Sequence, residues 1–430
     1  MSFQLKLNSD ERSTFRLHLA YMLIEGFVLG VLALNEFVFL KSIKGSNYQL
    51  GLLFQFSMIV FLFLILINEF LKRIKNRRKL LRIAGILSRL PLLVIFFFPN
   101  NEQAYQNSTF HIVFLGLFLI YFAGNIFINP NINYLLKSNY THSNFGKLYS
   151  YATSSNKIVM LVVTFIYGFV LDIDNYIFTF IIPIMGIMAI VSVFVLSLIP
   201  QPEEGRLANS AGIFSSVSSS IKEMRDILVS NVPYRHFEIG FLMYGFSFMI
   251  SVTVITIYFY DGLNLNYSSV AFYRNAYNIL AIVLLPYFGR LLGNIDPRRF
   301  AALTFSTIAL YIFFVMITDY LPYHFELYGV TIYYTLILYV VFHGLFASTM
   351  VLLWNIGSAY FCRPEQAGTY QSLHLSLTGF RAIFSPLLGV LFYELFGFTV
   401  TFAIAIFCLL SAMLLMRWSY KRENKQECLQ

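Results

Sequence analysis

Residues 286–300 read PYFGRLLGNIDPRRF, an apolar run that crosses two glycines, turns basic and ends in an Arg-Arg doublet. Far upstream, residues 65–79 read ILINEFLKRIKNRRK and make the same transition. Arg77-Arg78 and Arg298-Arg299 stand 221 positions apart, and the same offset relates Ile74 to Ile295, Tyr149 to Tyr370 and Gly168 to Gly389. A shared offset is what a duplicated half leaves behind. Coincidence is the competing reading, since basic doublets are common on loops at one membrane face. Duplicated halves in a parallel relation are a recurring transporter plan.

Composition narrows the class. Of 430 residues, 58% are hydrophobic and 12% charged, about half the charged share of a soluble domain. The net charge of +9 is gathered in short patches between apolar runs. Such patches suit a membrane interface, so no nucleic-acid partner is expected. Cys362, Cys408 and Cys428 form no CxxC pair and give neither a disulfide framework nor a metal site. The N-terminal stretch MSFQLKLNSDERSTFRLHLAY lacks the apolar core and cleavage site of a removable signal peptide.

A bilayer core takes about 20 apolar residues per helix. That ruler predicts spans near 17–41, 49–71, 80–99, 110–133, 146–171 and 176–199. A second set follows near 236–260, 267–292, 299–319, 328–355, 366–395 and 397–418. Between them, residues 201–235 are polar and rich in Ser, Pro and Gly, which reads as a linker with a short amphipathic helix from about Phe214 to Val229. The expected fold is an all-α integral membrane protein of twelve transmembrane helices. They form two pseudo-symmetric six-helix bundles, 1–200 and 236–430, joined by the 201–235 linker. Lys and Arg crowd the loops that face the cytoplasm if the N-terminus does, whereas the opposite loops hold only Lys41 and Lys44. Both termini are therefore expected in the cytoplasm, with the chain in the cell (inner) membrane.

The two six-span halves, the long linker and the Gly-rich basic loop after each second span resemble the major facilitator superfamily. The family loop has the form G-x-x-x-D-R-x-G-R-R. Gly289 matches its first glycine and Arg298-Arg299 its basic end, with one extra residue between; Gly293 and Asn294 replace its Asp and Arg. In the first half the same register gives Asn68, Lys72, Arg73 and Arg77-Arg78. Span eleven, GFRAIFSPLLGVLFYELFG, is similar to the family's Arg-x-x-x-x-Pro-x-x-Gly helix. The resemblance implies a cytoplasmic gate built from Lys72, Arg73, Arg77, Arg78, Gly289, Arg290, Arg298 and Arg299. The acidic member of that gate is missing from both loops.

Charges inside spans are costly, at least about 2.5–3.5 kcal/mol at the bilayer centre, so they face a cavity or a partner. Counted from the outer ends of their spans at ~1.5 Å per residue, Glu25, Lys157 and Arg381 share a depth of ~22–24 Å. Glu36 and Arg274 form a second layer within ~7–11 Å of the outer face. These five, with His343, Asn125 and Asn355, are the candidate solute and ion pathway. Glu25 with Lys157 also reads as a structural ion pair, and Glu36 and Arg274 as snorkelling side chains. His343 also reads as a packing histidine, and the asparagines as interhelical hydrogen-bonding groups. Glu238, at the inner edge of span seven, reads as solvated.

No HExxH, GxSxG or Walker sequence is present, so neither an enzyme nor a nucleotide-driven pump is expected, and no cofactor. The reading is a monomeric secondary transporter working by alternating access on a small solute, driven by a proton or other ion gradient or by the solute's own; Glu25 is the candidate proton site, and facilitated or anion-exchange transport stays open. Two cations against one carboxylate at one depth favour an anionic or zwitterionic solute. A sensor or assembly factor that keeps the transporter fold is the alternative.

Overall fold

The computed structural model describes residues 8–71, 74, 76–200, 213–292, 294–363 and 366–427. The described chain is nearly all helix. The first span is broken, α1 (Ser9–Leu32) and α2 (Asn35–Lys41) meeting at a two-residue turn. The second comprises α3 (Asn47–Ile59), a 3-10 turn Val60–Phe63 and α4 (Leu64–Leu71). The third is α5 (Arg77–Arg89), continued as a 3-10 helix over Leu90–Phe97, where Pro91 removes a backbone donor. Then come α6 (Ser108–Asn139), α7 (His142–Ile173) and α8 (Phe178–Ser197). The amphipathic segment expected in the linker is α9 (Ile213–Ser230).

Spans seven to nine are α10 (Val232–Ile257, with a π turn to Gly262), α11 (Tyr267–Leu292) and α12 (Pro297–Met316). Two short strands follow, β1 (His324–Leu327) and β2 (Val330–Tyr333), paired antiparallel with Leu327 opposite Val330. Span ten is α13 (Tyr334–Leu352), prolonged by a π turn Leu353–Gly357. The last helices are α14 (Ala367–Ala382) and α15 (Ser385–Glu427). At 43 residues, α15 would run ~65 Å if straight, twice a bilayer core. It is instead interrupted at Gly397, whose φ of +76° is open to glycine and strained for other residues. It therefore carries the second part of span eleven and all of span twelve, and among the described residues the helices amount to twelve spans.

One expected boundary moves. Residues 328–333, assigned from sequence to span ten, belong to the hairpin. Tyr328 (φ +51°) and Gly329 (φ +77°) make its turn, and Asn266 Nδ2 donates to Gly329 O at 2.7 Å. The sequence VTIY in β2 is apolar enough to merge with the helix that follows. Its β-branched residues instead pair as a strand.

The chain divides into two compact units, Met1–Gly45 with Leu66–Ile213, and Ser46–Ile65 with Phe214–Gln430. By packing, α3 thus belongs to the second unit: Gln55 Nε2 donates to Ile383 O, at the break between α14 and α15.

In the first unit α1 packs on α7 and α8. A Cβ on Gly26 would meet Asn156 O at 2.6 Å, and one on Gly30 would meet Val163 Cβ at 2.6 Å. These glycines, four apart on one face, let α1 and α7 approach closely, as small residues do in membrane bundles. Asn156 Nδ2 donates to Met22 O and Thr164 Oγ1 to Gly30 O across the same seam. In the second unit α10 and α12 pack on α15, and α11 and α12 on α13. Gly389 of α15 lies against the Ile250 backbone of α10, where a Cβ would come within 2.8 Å of Ile250 Cα.

Candidate functional site

The first unit holds a polar cluster drawn from four helices, α1, α5, α6 and α8. Glu25 on α1 accepts a 2.5 Å hydrogen bond from Ser192 Oγ on α8. Arg89 ends α5 and is 2% exposed. Its Nη2 donates to Asn125 Oδ1 on α6 at 2.8 Å, its Nη1 donates to Ser88 Oγ, and its Cζ lies 5.0 Å over the Tyr121 ring. Gly124 makes the room, because a Cβ there would sit 2.8 Å from Arg89 Nη1 and 2.2 Å from Ser88 Oγ. Arg89 lies within electrostatic reach of Glu25, Tyr21 and Tyr121, without a direct ion pair to the carboxylate. Its Nε has no hydrogen-bond partner among the described residues.

Lys157 lies at the level of Glu25, as the bond from Asn156 to Met22 O requires, but the two are not paired. Its Nζ approaches Met160 Sδ at 4.0 Å. The alternative reading of Glu25 and Lys157 as a structural ion pair is therefore corrected, and the cation near Glu25 is Arg89. Arg89 lies inside the span expected over 80–99, nine residues from its start. That position, ~13 Å deep at 1.5 Å per residue, is the signal the sequence carries for it. Glu36 stands in the first turn of α2, just past the break, beside Asn35, which is 4% exposed and whose Oδ1 has no partner among the described residues.

The second unit holds two clusters. In one, His374 Nδ1 on α14 lies 3.0 and 3.2 Å from the Glu238 carboxylate oxygens on α10. Glu238 is 2% exposed, so the solvated reading is overturned. A second helix, not water, supplies its partner. One heptad further along the same pair, Arg381 Nη1 donates to Phe241 O and its Cζ lies 5.6 Å from the Tyr244 ring centroid. Gly245 faces that guanidinium so closely that a Cβ would fall 1.8 Å from Arg381 Cζ. Arg381 is in electrostatic reach of Glu238, and its Nε has no partner among the described residues.

In the other, His343 on α13 is stacked between Tyr277 of α11 (centroids 3.7 Å, 9°) and Tyr311 of α12 (4.5 Å, 15°). Tyr339 meets it edge-on at 5.2 Å. The His343 Nδ1 atom has no hydrogen-bond partner among the described residues, so the hydrogen-bonded packing histidine becomes a ring-stacked one. Arg274 on α11 lies within electrostatic reach of His343 and Tyr339. Asn355 falls in the π turn after α13.

Of the basic loops, Lys72 and Arg73 lie outside the described residues. Arg77 and Arg78 open α5 behind Asn76, whose side chain accepts from Lys79 N. Gly289 and Arg290 are exposed near the end of α11. Asp296 caps α12, accepting from Arg298 N, and pairs with Arg298 Nη2 at 2.8 Å. Glu423 near the end of α15 pairs with the same nitrogen. Arg298 is thus paired by an acid three residues beyond the loop position where Gly293 stands and by one from the C-terminal helix. Arg299 instead lies over the Tyr420 ring at 5.4 Å.

Twelve helical spans in two bundles, with charge buried inside each, define the architecture of secondary transporters. The Major Facilitator Superfamily model matches residues 18–328 and 276–427, and the chain belongs to that family. It is similar to a mutant of the nucleoside transporter NupG (TM-score 0.70, 12% identity, 95% of this chain and 99% of that one). It is also similar to a mutant of the peptide transporter POT (TM-score 0.67, 14%, 95% and 94%). A third likeness is to the xylose transporter XylE from E. coli in a partially occluded inward-open conformation (TM-score 0.64, 12%, 95% and 97%). At these identities the likeness is one of fold. No curated protein sequence matches the chain significantly.

Proposed function

We propose that the protein moves a small anionic or zwitterionic solute by alternating access, coupled to protons through Glu25, in a cell membrane with both termini in the cytoplasm. The Glu25–Ser192–Arg89–Asn125 cluster carries this reading. A hydroxyl both donates and accepts, so Ser192 can satisfy Glu25 as carboxylate and as carboxylic acid. Proton exchange there leaves no orphaned partner. The unspent Nε of Arg89, and that of Arg381 in the second unit, are donors suited to a carboxylate or phosphate. Lys157, with no carboxylate partner among the described residues, adds positive potential. Similar solved structures come from work on proton-dependent oligopeptide transporters and from a D-xylose–proton symporter, which supports the choice of coupling ion.

The test begins with a thermal-shift screen of the purified protein against small carboxylates, phosphates and zwitterions. A stabilising solute is then labelled, and its uptake into proteoliposomes is measured with and without an imposed pH gradient. Uptake that follows the gradient, and loses that dependence in Glu25→Gln, is the expected result. Uptake indifferent to the gradient removes the coupling. The absence of any stabilising solute favours the sensor or assembly-factor reading.

A further inference from the structure

We propose that the groove between α12 and the C-terminal part of α15 binds an anionic phospholipid. Its headgroup phosphate would be held by Arg299, Arg417 and Lys421, and an acyl chain would lie along the apolar stripes below. A cavity of about 560 Å³ opens there, lined by those three cations with Tyr420, Ala302 and Leu303. The sequence builds it twice over. On α12 the residues Arg299, Leu303, Ser306, Leu310 and Phe313 recur at spacings of four and three. On α15 Phe407, Leu410, Leu414, Arg417 and Lys421 do the same. Each helix thus carries one stripe, basic at one end and apolar along its length. The two helices pack side by side. All of the large apolar residues in both stripes are exposed, Phe407 to 71%. In a membrane protein such a surface faces hydrocarbon, so the cations stand where the headgroup region begins.

Charge bookkeeping at this corner separates two kinds of arginine. Arg298 points inward, is 3% exposed, and is neutralised by Asp296 and Glu423. Arg299, Arg417 and Lys421 have no carboxylate partner among the described residues. Three cations without a carboxylate partner among the described residues surround one cavity, a charge that a phosphodiester would balance, and Arg299 is steadied there by the Tyr420 ring. A free phosphate would use the cations alone. The continuous apolar stripes are what favour a lipid.

The test uses the full-length protein in a neutral detergent, with phosphatidylglycerol, phosphatidylcholine and inorganic phosphate as probes. Melting temperature and lipid retention by native mass spectrometry are the readouts. Phosphatidylglycerol is expected to be retained and to raise the melting temperature, whereas the other two are not. The triple variant Arg299→Gln/Arg417→Gln/Lys421→Gln is expected to weaken retention at least about tenfold. Equal retention by that variant, equal stabilisation by phosphatidylcholine, or equal protection by inorganic phosphate would each overturn the proposal. If the triple variant does not fold, Lys421→Gln alone should weaken retention about threefold or more, and unchanged retention overturns the site. Neither readout involves solute or sidedness, so the result stands apart from the transport reading.

Discussion

Ser192 Oγ donates to Glu25 Oε1 at 2.5 Å, tying the sixth span to the first 167 residues away in sequence. The bond fixes the carboxylate at the level of the α1–α7 seam, with Arg89 as the nearby buried cation. If Glu25 and Arg89 act as a pair, their substitutions are not additive. Arg89→Met is expected to destabilise the protein by about 1–3 kcal/mol, because it takes a charged hydrogen-bond donor from Asn125 Oδ1 and the nearby cation from Glu25. In the Glu25→Gln background the same change should cost at least about 1 kcal/mol less. Thermal unfolding of the four proteins in detergent measures the coupling. Additivity within about 0.5 kcal/mol sinks the pairing.

Sidedness is the second expectation. Lys222 on α9 and Tyr328 at the hairpin tip are both exposed, the latter to 94%. In a background with Cys362, Cys408 and Cys428 replaced, Tyr328→Cys should react with an impermeant thiol reagent added to intact cells. Lys222→Cys should react only after the cells are opened. The reverse pattern would reject the cytoplasmic placement of the linker.

The spans were legible because lipid offers backbone groups no hydrogen bonds, so each crossing must be a long apolar helix and announces itself by length. Even the turn between spans eleven and twelve, at Gly397, could be placed to within a residue or two. Charge partners were not legible. Glu238 and His374 are 136 residues apart, and nothing local to either one names the other. The Glu25 partner depended on which helix packs beside α1, which is decided by shape: Gly26 and Gly30 admit α7, and Gly124 opens a berth for Arg89. Depth counting along a helix gives the level of a charge but not the face it takes. Lys157 thus lies beside α1 near Glu25 in height and yet points to Met160. The hairpin was hidden for a different reason, since four β-branched and aromatic residues next to a helix look like its first turn.

Close packing also decides what Arg381 tolerates. Gly245 is the floor on which the Arg381 guanidinium rests, and a methyl group there would lie 1.8 Å from Cζ. Gly245→Ala must therefore push the guanidinium off Phe241 O and away from the Tyr244 ring. The displaced charge stays buried, so the variant should lose about 2–4 kcal/mol, through overpacking and a strained hydrogen bond to a charged group. Arg381→Met removes the charge and the planar guanidinium head. The double variant should be more stable than Gly245→Ala alone, because Met is flexible enough to fold around a new methyl. Transport is expected to fail in every variant that lacks the guanidinium, including the stable double one. Melting temperature and solute uptake, measured on the same preparations, separate the two effects. A Gly245→Ala protein that melts like the parent would show that Arg381 is not held where the structure puts it. A double variant that transports normally would remove Arg381 from the pathway and leave it a packing residue.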